Sequence, residues 1–347
     1  MYELKYNKYK IKYLINKHIN TQTGGSIINI KLSELLSSSD IVDAEISDIV
    51  SISDAEKLAN WLKTNNTLKK LTIRFNKIDS AGLNKISNNI EKLDTLNIED
   101  NNLHSTGIMH ICSALKVNNN MTTLDLCGNN IGDTGAHCIG SMLETNKTLK
   151  ILDLSDNNIG HIGAKALATG ITNNVHLEIL NMHNNKLGGI GCNMIGYALA
   201  KNNKLKNLQM SQNIIDDVLG LNTGLQTNTI LETLILFHNN IGDNIINFDP
   251  NKLKVLDLNT NDITDIGALA LTNKLETNTY LQSLDLSHNK ISEVVIKQIF
   301  TKLNKNKTLY KLDFSYNNIL NNRNIFLLII HNKIRYYKLK MILYETY

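Results

Sequence analysis

Leu149-Lys-Ile-Leu152-Asp-Leu154-Ser-Asp-Asn157-Asn-Ile159-Gly160 decides the fold of this chain of 347 residues. Leucines at alternate positions followed by a polar segment predict a short β-strand and a turn. The frame L-x-x-L-x-L-x-x-N-x-I, with Ile, Met or Phe in place of some leucines, occurs ten times. Its second leucine is Leu71, Leu96, Leu124, Leu152, Leu180, Leu208, Leu234, Leu256, Leu284 and Leu312. The intervals are 25, 28, 28, 28, 28, 26, 22, 28 and 28 residues, and so regular a period predicts a solenoid.

The second half of each unit has the spacing of an α-helix. After Asn157, the apolar residues Ala164, Leu167, Ala168 and Ile171 recur on one helical face, which is expected to pack against the sheet. Each unit is thus strand, turn, helix and return loop. The fold class is α/β, with a parallel sheet on the concave side of a horseshoe and helices on the convex side. One unit cannot bury its apolar face alone, but a stack of ten can.

Residues 146–174, NKTLKILDLSDNNIGHIGAKALATGITNN, contain the pattern I-G-x-x-G-A-x-x-L-A-x-x-L after the strand. This unit resembles leucine-rich repeats of the ribonuclease-inhibitor-like subclass. The resemblance covers residues 68–319 and implies the same horseshoe.

Four segments are expected along the chain. They are a basic leader with a Gly-Gly linker (1–26), an N-terminal capping region (27–67), the array of ten repeats (68–319) and a C-terminal cap (320–347). The capping region contains a degenerate strand around Ala44, which lies 27 residues before Leu71. Its helix is expected to begin at Ser53 as N-cap and to reach Leu62.

The leader is rich in lysine and tyrosine and ends in Gly24-Gly25-Ser26. Its KYxKYKxKYLxxK pattern followed by Gly-Gly resembles the amino-terminal segments of giant DNA virus proteins. Three interpretations of this leader stay open: a solvated tail, an address signal and a proteolytic processing site. We expect an intracellular protein, in the host cytoplasm or associated with the virion if the source is viral. No stretch of about 18 apolar residues occurs, so the sequence predicts no membrane association.

Charge is unevenly distributed around the net value of +4. Residues 1–26 and 321–347 each have five Lys or Arg against one Glu, so the body between them is mildly acidic. An acidic body argues against a nucleic-acid groove along the repeats, because phosphates are met by Lys and Arg.

One unit is too short to contain the usual helix. Leu234 and Leu256 are only 22 residues apart, and Pro250 lies between them. The preceding unit has Gly220 and Gly224 in its helical half. The outer layer is therefore expected to thin over residues 216–252.

Residues with catalytic or metal-binding spacing are missing from the sequence. It lacks GxxxxGK[ST], GxGxxG, HExxH, GxSxG and paired Cys/His metal spacing, so we expect no cofactor, no metal and no enzymatic activity. The four cysteines have unrelated places in their repeats and are expected to be free thiols. The Asn that ends each frame, such as Asn157, is expected to satisfy backbone groups of the turn.

A protein-binding site is predicted on the concave face, where the residues between the leucines project from each strand. Ile235 and Phe237 project there from one strand, beside Val255 on the next and His238 at the strand exit. We expect an exposed apolar patch with a rim that includes Gln209, Ser211 and Asn259. Aspartates in the middle position of neighbouring strands form an acidic wall for a basic partner or a solvated ladder. The predicted site is Ile235, Phe237, His238, Val255, Asp257, Asp285 and Asp313.

These features predict a non-enzymatic scaffold that binds another protein, of undetermined identity, through its concave face. The oligomeric state is open. Two alternatives come from similar horseshoes. A Ran-directed GTPase-activating protein typically has an acidic tail, whereas this chain ends with basic residues. The substrate adaptor of an F-box ubiquitin ligase opens with a Leu-Pro pair, whereas the only proline here is Pro250.

Overall fold

The computed structural model describes residues 28–318, apart from residues 50, 77 and 305. The predicted leader (1–26) and C-terminal cap (320–347) lie outside these described residues. In the described part, twelve strands form one parallel sheet in which every strand pairs with its neighbours in chain order. The strands are β1 (Ile28–Asn29), β2 (Asp43–Glu45), β3 (Lys70–Thr72), β4 (Thr95–Asn97), β5 (Thr123–Asp125), β6 (Ile151–Asp153), β7 (Ile179–Asn181), β8 (Asn207–Gln209), β9 (Thr233–Ile235), β10 (Val255–Asp257), β11 (Ser283–Asp285) and β12 (Lys311–Asp313).

The register of the sheet follows the repeat frame. The second leucine of each repeat pairs with that of the next, from Leu71 with Leu96 to Leu284 with Leu312. The predicted degenerate strand is β2, whose Ala44 pairs with Leu71. The sequence analysis did not predict β1, which adds a further strand before β2.

Helices follow the strands and cover one face of the sheet. They are α1 (Leu32–Leu36), α2 (Ile52–Thr64), α3 (Ser80–Ser87), α4 (His104–Leu115), α5 (Gly132–Leu143), α6 (His161–Asn173), α7 (Gly188–Leu199), α8 (Leu219–Thr227), α9 (Asp265–Leu275) and α10 (Glu293–Leu303), with a 3-10 helix at Gly242–Asn247 between α8 and α9. The predicted apolar face of α6 is buried, including Ala164, Leu167 and Ile171. These side chains and the inward leucines of the strands belong to one continuous core.

The N-cap of α2 differs from the sequence prediction. Ser51, not Ser53, caps the helix, because its Oγ accepts a hydrogen bond of 3.2 Å from the backbone N–H of Asp54. Ser51 Oγ also donates to Asp54 Oδ2 at 2.7 Å, so the two side chains bind each other across the first turn. Ser53 lies inside the helix and is exposed.

The short repeat between β9 and β10 contains the 3-10 helix in place of an α-helix, as its spacing predicts. The outer layer is also reduced before it, because α8 has 9 residues whereas α6 has 13. Ile245 and Phe248 of the short segment are nevertheless fully buried in the main core. A large aromatic side chain thus occupies space that a regular helix fills elsewhere.

The Asn column joins each repeat to the one before it. Asn157 is fully buried, and its Oδ1 accepts hydrogen bonds from the N–H groups of Asn129 and Ile131 in the preceding repeat. Its Nδ2 donates to the carbonyls of Leu126 and Ser155, both at 2.8 Å. Equivalent bonds recur along the array, so the column satisfies buried backbone groups as predicted.

Candidate binding surface on the concave sheet

The middle position of most strands has an Asp or Asn whose side chain accepts a hydrogen bond from the backbone just after the strand. Asp153 Oδ1 accepts a hydrogen bond of 2.9 Å from the N–H of Ser155, two residues later. Asp285 and Asp313 do the same with Ser287 and Ser315, at 3.0 and 2.9 Å. Asn97, Asp125, Asn181 and Asp257 make the equivalent bond. The row of acidic residues therefore has a structural role that is independent of any partner.

Four of the predicted site residues lie side by side. Ile235 pairs with Asp257, Asp257 with Asp285, and Asp285 with Asp313, across β9 to β12. Neighbouring strands are about 4.8 Å apart, so the three carboxylates form one row along the concave face. Like charges at this spacing repel one another, and a cationic group placed over the row would relieve that repulsion.

The expectation of an exposed apolar patch at Ile235 and Phe237 is wrong. Both side chains are on the concave side of the sheet, as predicted, but they are only 7% and 6% exposed. They form a second apolar cluster, separate from the main core, with Ile151 and Ile179, and Val255 packs against it half-buried. Side chains on the inner face of a curved sheet converge, and aliphatic residues on β6 and β7 meet those on β9.

Polar side chains beneath the aromatic ring are also enclosed. The rings of His183 and Phe237, which lie two strands apart, have centroids separated by 5.5 Å. Ser211 follows β8, the strand between those of the two rings, is fully buried, and its Oγ makes no hydrogen bond to the described residues. Gln209 is likewise buried, and its Oε1 has no hydrogen-bond partner in the described part of the chain. Gln209 and Ser211 therefore do not form an accessible rim.

Burial also changes the chemistry of the acidic ladder in the middle of the array. Desolvation raises the pKa of the Asp153 carboxyl above its ordinary value, while hydrogen bonds from Ser155 and Asn181 oppose that rise. Asp285 and Asp313 at the end of the ladder are only half-buried. The accessible acidic groups of the predicted site are therefore in the last two strands.

The turn that follows each strand presents a further side chain. The residue before the column Asn has a left-handed backbone with φ between +49° and +70° in all ten repeats. In the last two repeats these residues are His288 and Tyr316, whose rings stack with centroids 4.2 Å apart. Tyr316 is 56% exposed, and the predicted site residue His238 is exposed at the same position three repeats earlier. The sequence analysis did not single out His288 and Tyr316, although both aromatic residues occupy the same place in the frame.

Metal-binding groups and reactive cysteine thiols are two kinds of chemical site that the described residues could form. Among the described residues, no group of three or more His, Cys, Asp or Glu side chains is arranged to hold a metal ion. All four cysteines are free thiols, as predicted. Burial raises the pKa of the Cys112 thiol to about 12, and it also raises the pKa of Cys127 and Cys192.

We expect iodoacetamide at pH 8 to label Cys138 alone in the native protein. Cys112, Cys127 and Cys192 are buried, whereas Cys138 is half-buried on α5. Intact-mass measurement should show one adduct under native conditions and four after denaturation. Rapid native labelling of two or more thiols would contradict this accessibility.

Comparisons with known proteins support the architecture. Profiles described as leucine-rich repeats match residues 64–87, 117–140, 145–168, 176–198, 227–246, 250–271 and 277–293. The fold of the described residues is a leucine-rich repeat solenoid.

Two solved structures show the extent of the structural likeness. An internalin (inlF) from Listeria monocytogenes is similar, with 21% sequence identity, a TM-score of 0.50, and alignment over 83% of this chain and 77% of that chain. The actin-binding site 2 of leiomodin-1 aligns over 36% of this chain and 76% of that chain, at 24% identity and a TM-score of 0.34. The first likeness concerns the fold alone, and the second is too low to support an argument. No protein of curated function matches the sequence. In the described residues, no helix is long and apolar enough to cross a membrane.

Proposed function

We propose that this protein is a non-enzymatic scaffold that binds a protein partner through the concave face of β10 to β12. The row of Asp257, Asp285 and Asp313 carries the proposal, because the last two carboxylates are accessible and the stacked residues His288 and Tyr316 come three positions after them in the same two repeats. The partner would present a Lys- or Arg-rich segment to the carboxylates. Tyr316 would supply an aromatic contact, since exposed tyrosines commonly act as anchors at interfaces.

The two accessible carboxylates can be neutralised without removing their structural hydrogen bonds. In Asp285→Asn/Asp313→Asn, each side chain retains the Oδ1 that accepts from the backbone two residues later, as Asn97 and Asn181 do naturally. We expect the free energy of unfolding to change by less than about 0.5 kcal/mol. Capture of the partner by the full-length chain, measured by quantitative mass spectrometry, should fall at least about tenfold, which corresponds to about 1.4 kcal/mol.

The matched control removes two charges elsewhere. Glu91 and Glu276 are exposed residues outside the strands, so Glu91→Gln/Glu276→Gln should retain capture. Equal losses with both double variants would indicate a general charge effect. Full capture by the Asp285→Asn/Asp313→Asn protein would place the binding site outside this acidic row.

A further inference from the structure

A row of exposed aliphatic side chains lies on the convex side of the array, in the first turns of α6 to α10 and in the 3-10 helix between α8 and α9. These residues are between 45% and 64% exposed, whereas the neighbouring Gly163, Gly191 and Gly267 are buried. We name this row the aliphatic ridge, and it consists of Ile162, Ile190, Leu219, Ile246, Ile266 and Val294.

The ridge is continuous and is confined to the second half of the protein. The segments that hold it, from α6 to α10, pack against one another in order. At the same place in the earlier repeats the residues are Ala81, Thr106 and Thr134, so the repeat fold does not require an aliphatic side chain there. Six half-exposed aliphatic side chains form a stripe on the order of 500 Å², comparable to the largest patch on a typical monomer.

Charged residues around the ridge are mostly acidic. The relevant region runs from the end of each strand to the first turn of the next helix, in the repeats that begin at β5 to β11. This region contains eight acidic residues and two lysines. Each helix N-terminus contributes about half a positive charge, which does not offset this excess. Some of the carboxylates cap the next helix, as Asp243 does by accepting from the N–H groups of Thr264 and Gly267. The acidic residues are Asp133, Asp156, Asp216, Asp217, Asp243, Asp262, Asp265 and Glu293, and the lysines are Lys186 and Lys290.

We infer that the aliphatic ridge is a second docking surface, for a cationic amphipathic helix of another protein. Aliphatic side chains at i, i+3, i+4 and i+7 would cover the ridge, and flanking Lys or Arg would meet the carboxylates. A helix of about 20 residues is about 30 Å long and would cross three or four repeats, given interhelical distances of about 8–10 Å. Two-fold pairing of ridges between copies of this chain is disfavoured, because it would bring two acidic edges together.

A designed peptide tests this surface directly. The probe is a fluorescein-labelled 20-residue helix with Leu on one face and Lys beside it, titrated into the full-length chain by fluorescence anisotropy. The control peptide has the same composition in an order that lacks an apolar face. We expect the probe to bind at least tenfold more tightly than the control peptide, and its Kd to rise with NaCl because the charges are exposed.

Substitutions locate the binding. Ile190→Ser/Ile266→Ser should raise the probe's Kd at least tenfold, whereas Val117→Ser/Met109→Ser, which changes exposed apolar residues away from the ridge, should leave it unchanged. Asp285→Asn/Asp313→Asn should also leave the probe's Kd unchanged. The test of the aliphatic ridge is therefore independent of the test of the concave site. Equal binding of both peptides, or a loss only with the concave variant, would overturn the inference.

The chain's own residues 323–340 include basic and aliphatic side chains and are a competing occupant. Lysine cross-linking of the full-length monomer distinguishes the two sources. Cross-links from Lys338 or Lys340 to Lys186 or Lys290 would overturn docking of another protein. Their absence, together with probe-dependent protection of Lys186 and Lys290, is the expected result.

Discussion

Phe248→Ala should lower the free energy of unfolding by about 4 kcal/mol, in the range measured for large-to-small substitutions in protein cores. Phe248 is fully buried and follows the 3-10 helix of the short repeat. No regular helix covers β9 and β10 at this point, so few other side chains can move into the cavity that the ring leaves. Denaturant unfolding monitored by circular dichroism measures the loss.

The effect should also be local, because each repeat of a solenoid contacts only its neighbours. Amide exchange over residues 242–252 should accelerate more than exchange over α9. Ile246→Ala is the matched control, since Ile246 is half-exposed in the same 3-10 helix, and it should cost less than about 1 kcal/mol. A loss below 1 kcal/mol for Phe248→Ala would show that the ring does not replace the missing helix.

Asn157→Ala should cost about 3 kcal/mol. The two carbonyl groups that Asn157 contacts each have a second donor. Asn129 Nδ2 also donates to the Leu126 carbonyl, and the Gly128 N–H donates to the Ser155 carbonyl. The N–H groups of Asn129 and Ile131 receive no such compensation. Leaving two buried donors unpaired costs about 1–3 kcal/mol each, and partial relaxation reduces the sum.

Asn157→Asp separates the loss of hydrogen bonds from the loss of volume. The carboxylate still accepts from Asn129 and Ile131 but faces two carbonyl groups, so its folded-state pKa should be raised. A raised folded pKa favours the protonated form, and the stability of this variant should therefore recover as pH falls and decline as pH rises through that pKa. Asn119→Ala, at an exposed loop position, should change stability by less than about 0.5 kcal/mol. A pH-independent deficit in Asn157→Asp would contradict this account.

The repeat frame predicted the sheet, its register and most of the core because those features depend on periodicity alone. Leu71, Leu96 and their successors pair as the spacing requires. The N-cap of α2 was assigned to the wrong residue, because Ser51 and Ser53 are both suitable cap types. Only the bond between Ser51 and Asp54 decides between them.

The concave site was predicted less completely. The sequence placed Ile235, Asp257, Asp285 and Asp313 on one face, and the pairing agrees. It did not indicate that Ile235 is enclosed, because that depends on an apolar cluster that includes side chains from β6 and β7 in the curved sheet. The missed signal was an aliphatic residue immediately before the second leucine of a repeat, at Ile151, Ile179 and Val255.

The Asn column gives the array a direction. Each Asn side chain bonds backbone groups of its own repeat and the preceding one, while its own N–H depends on the Asn of the following repeat. Removing repeats from the carboxyl end would therefore take the Asn acceptors away from N–H donors of the new last turn and expose those donors. Removing them from the amino end would leave an amide side chain that water can satisfy. The two ends of a shortened array would therefore expose different groups, backbone N–H donors at the carboxyl end and amide side chains at the amino end.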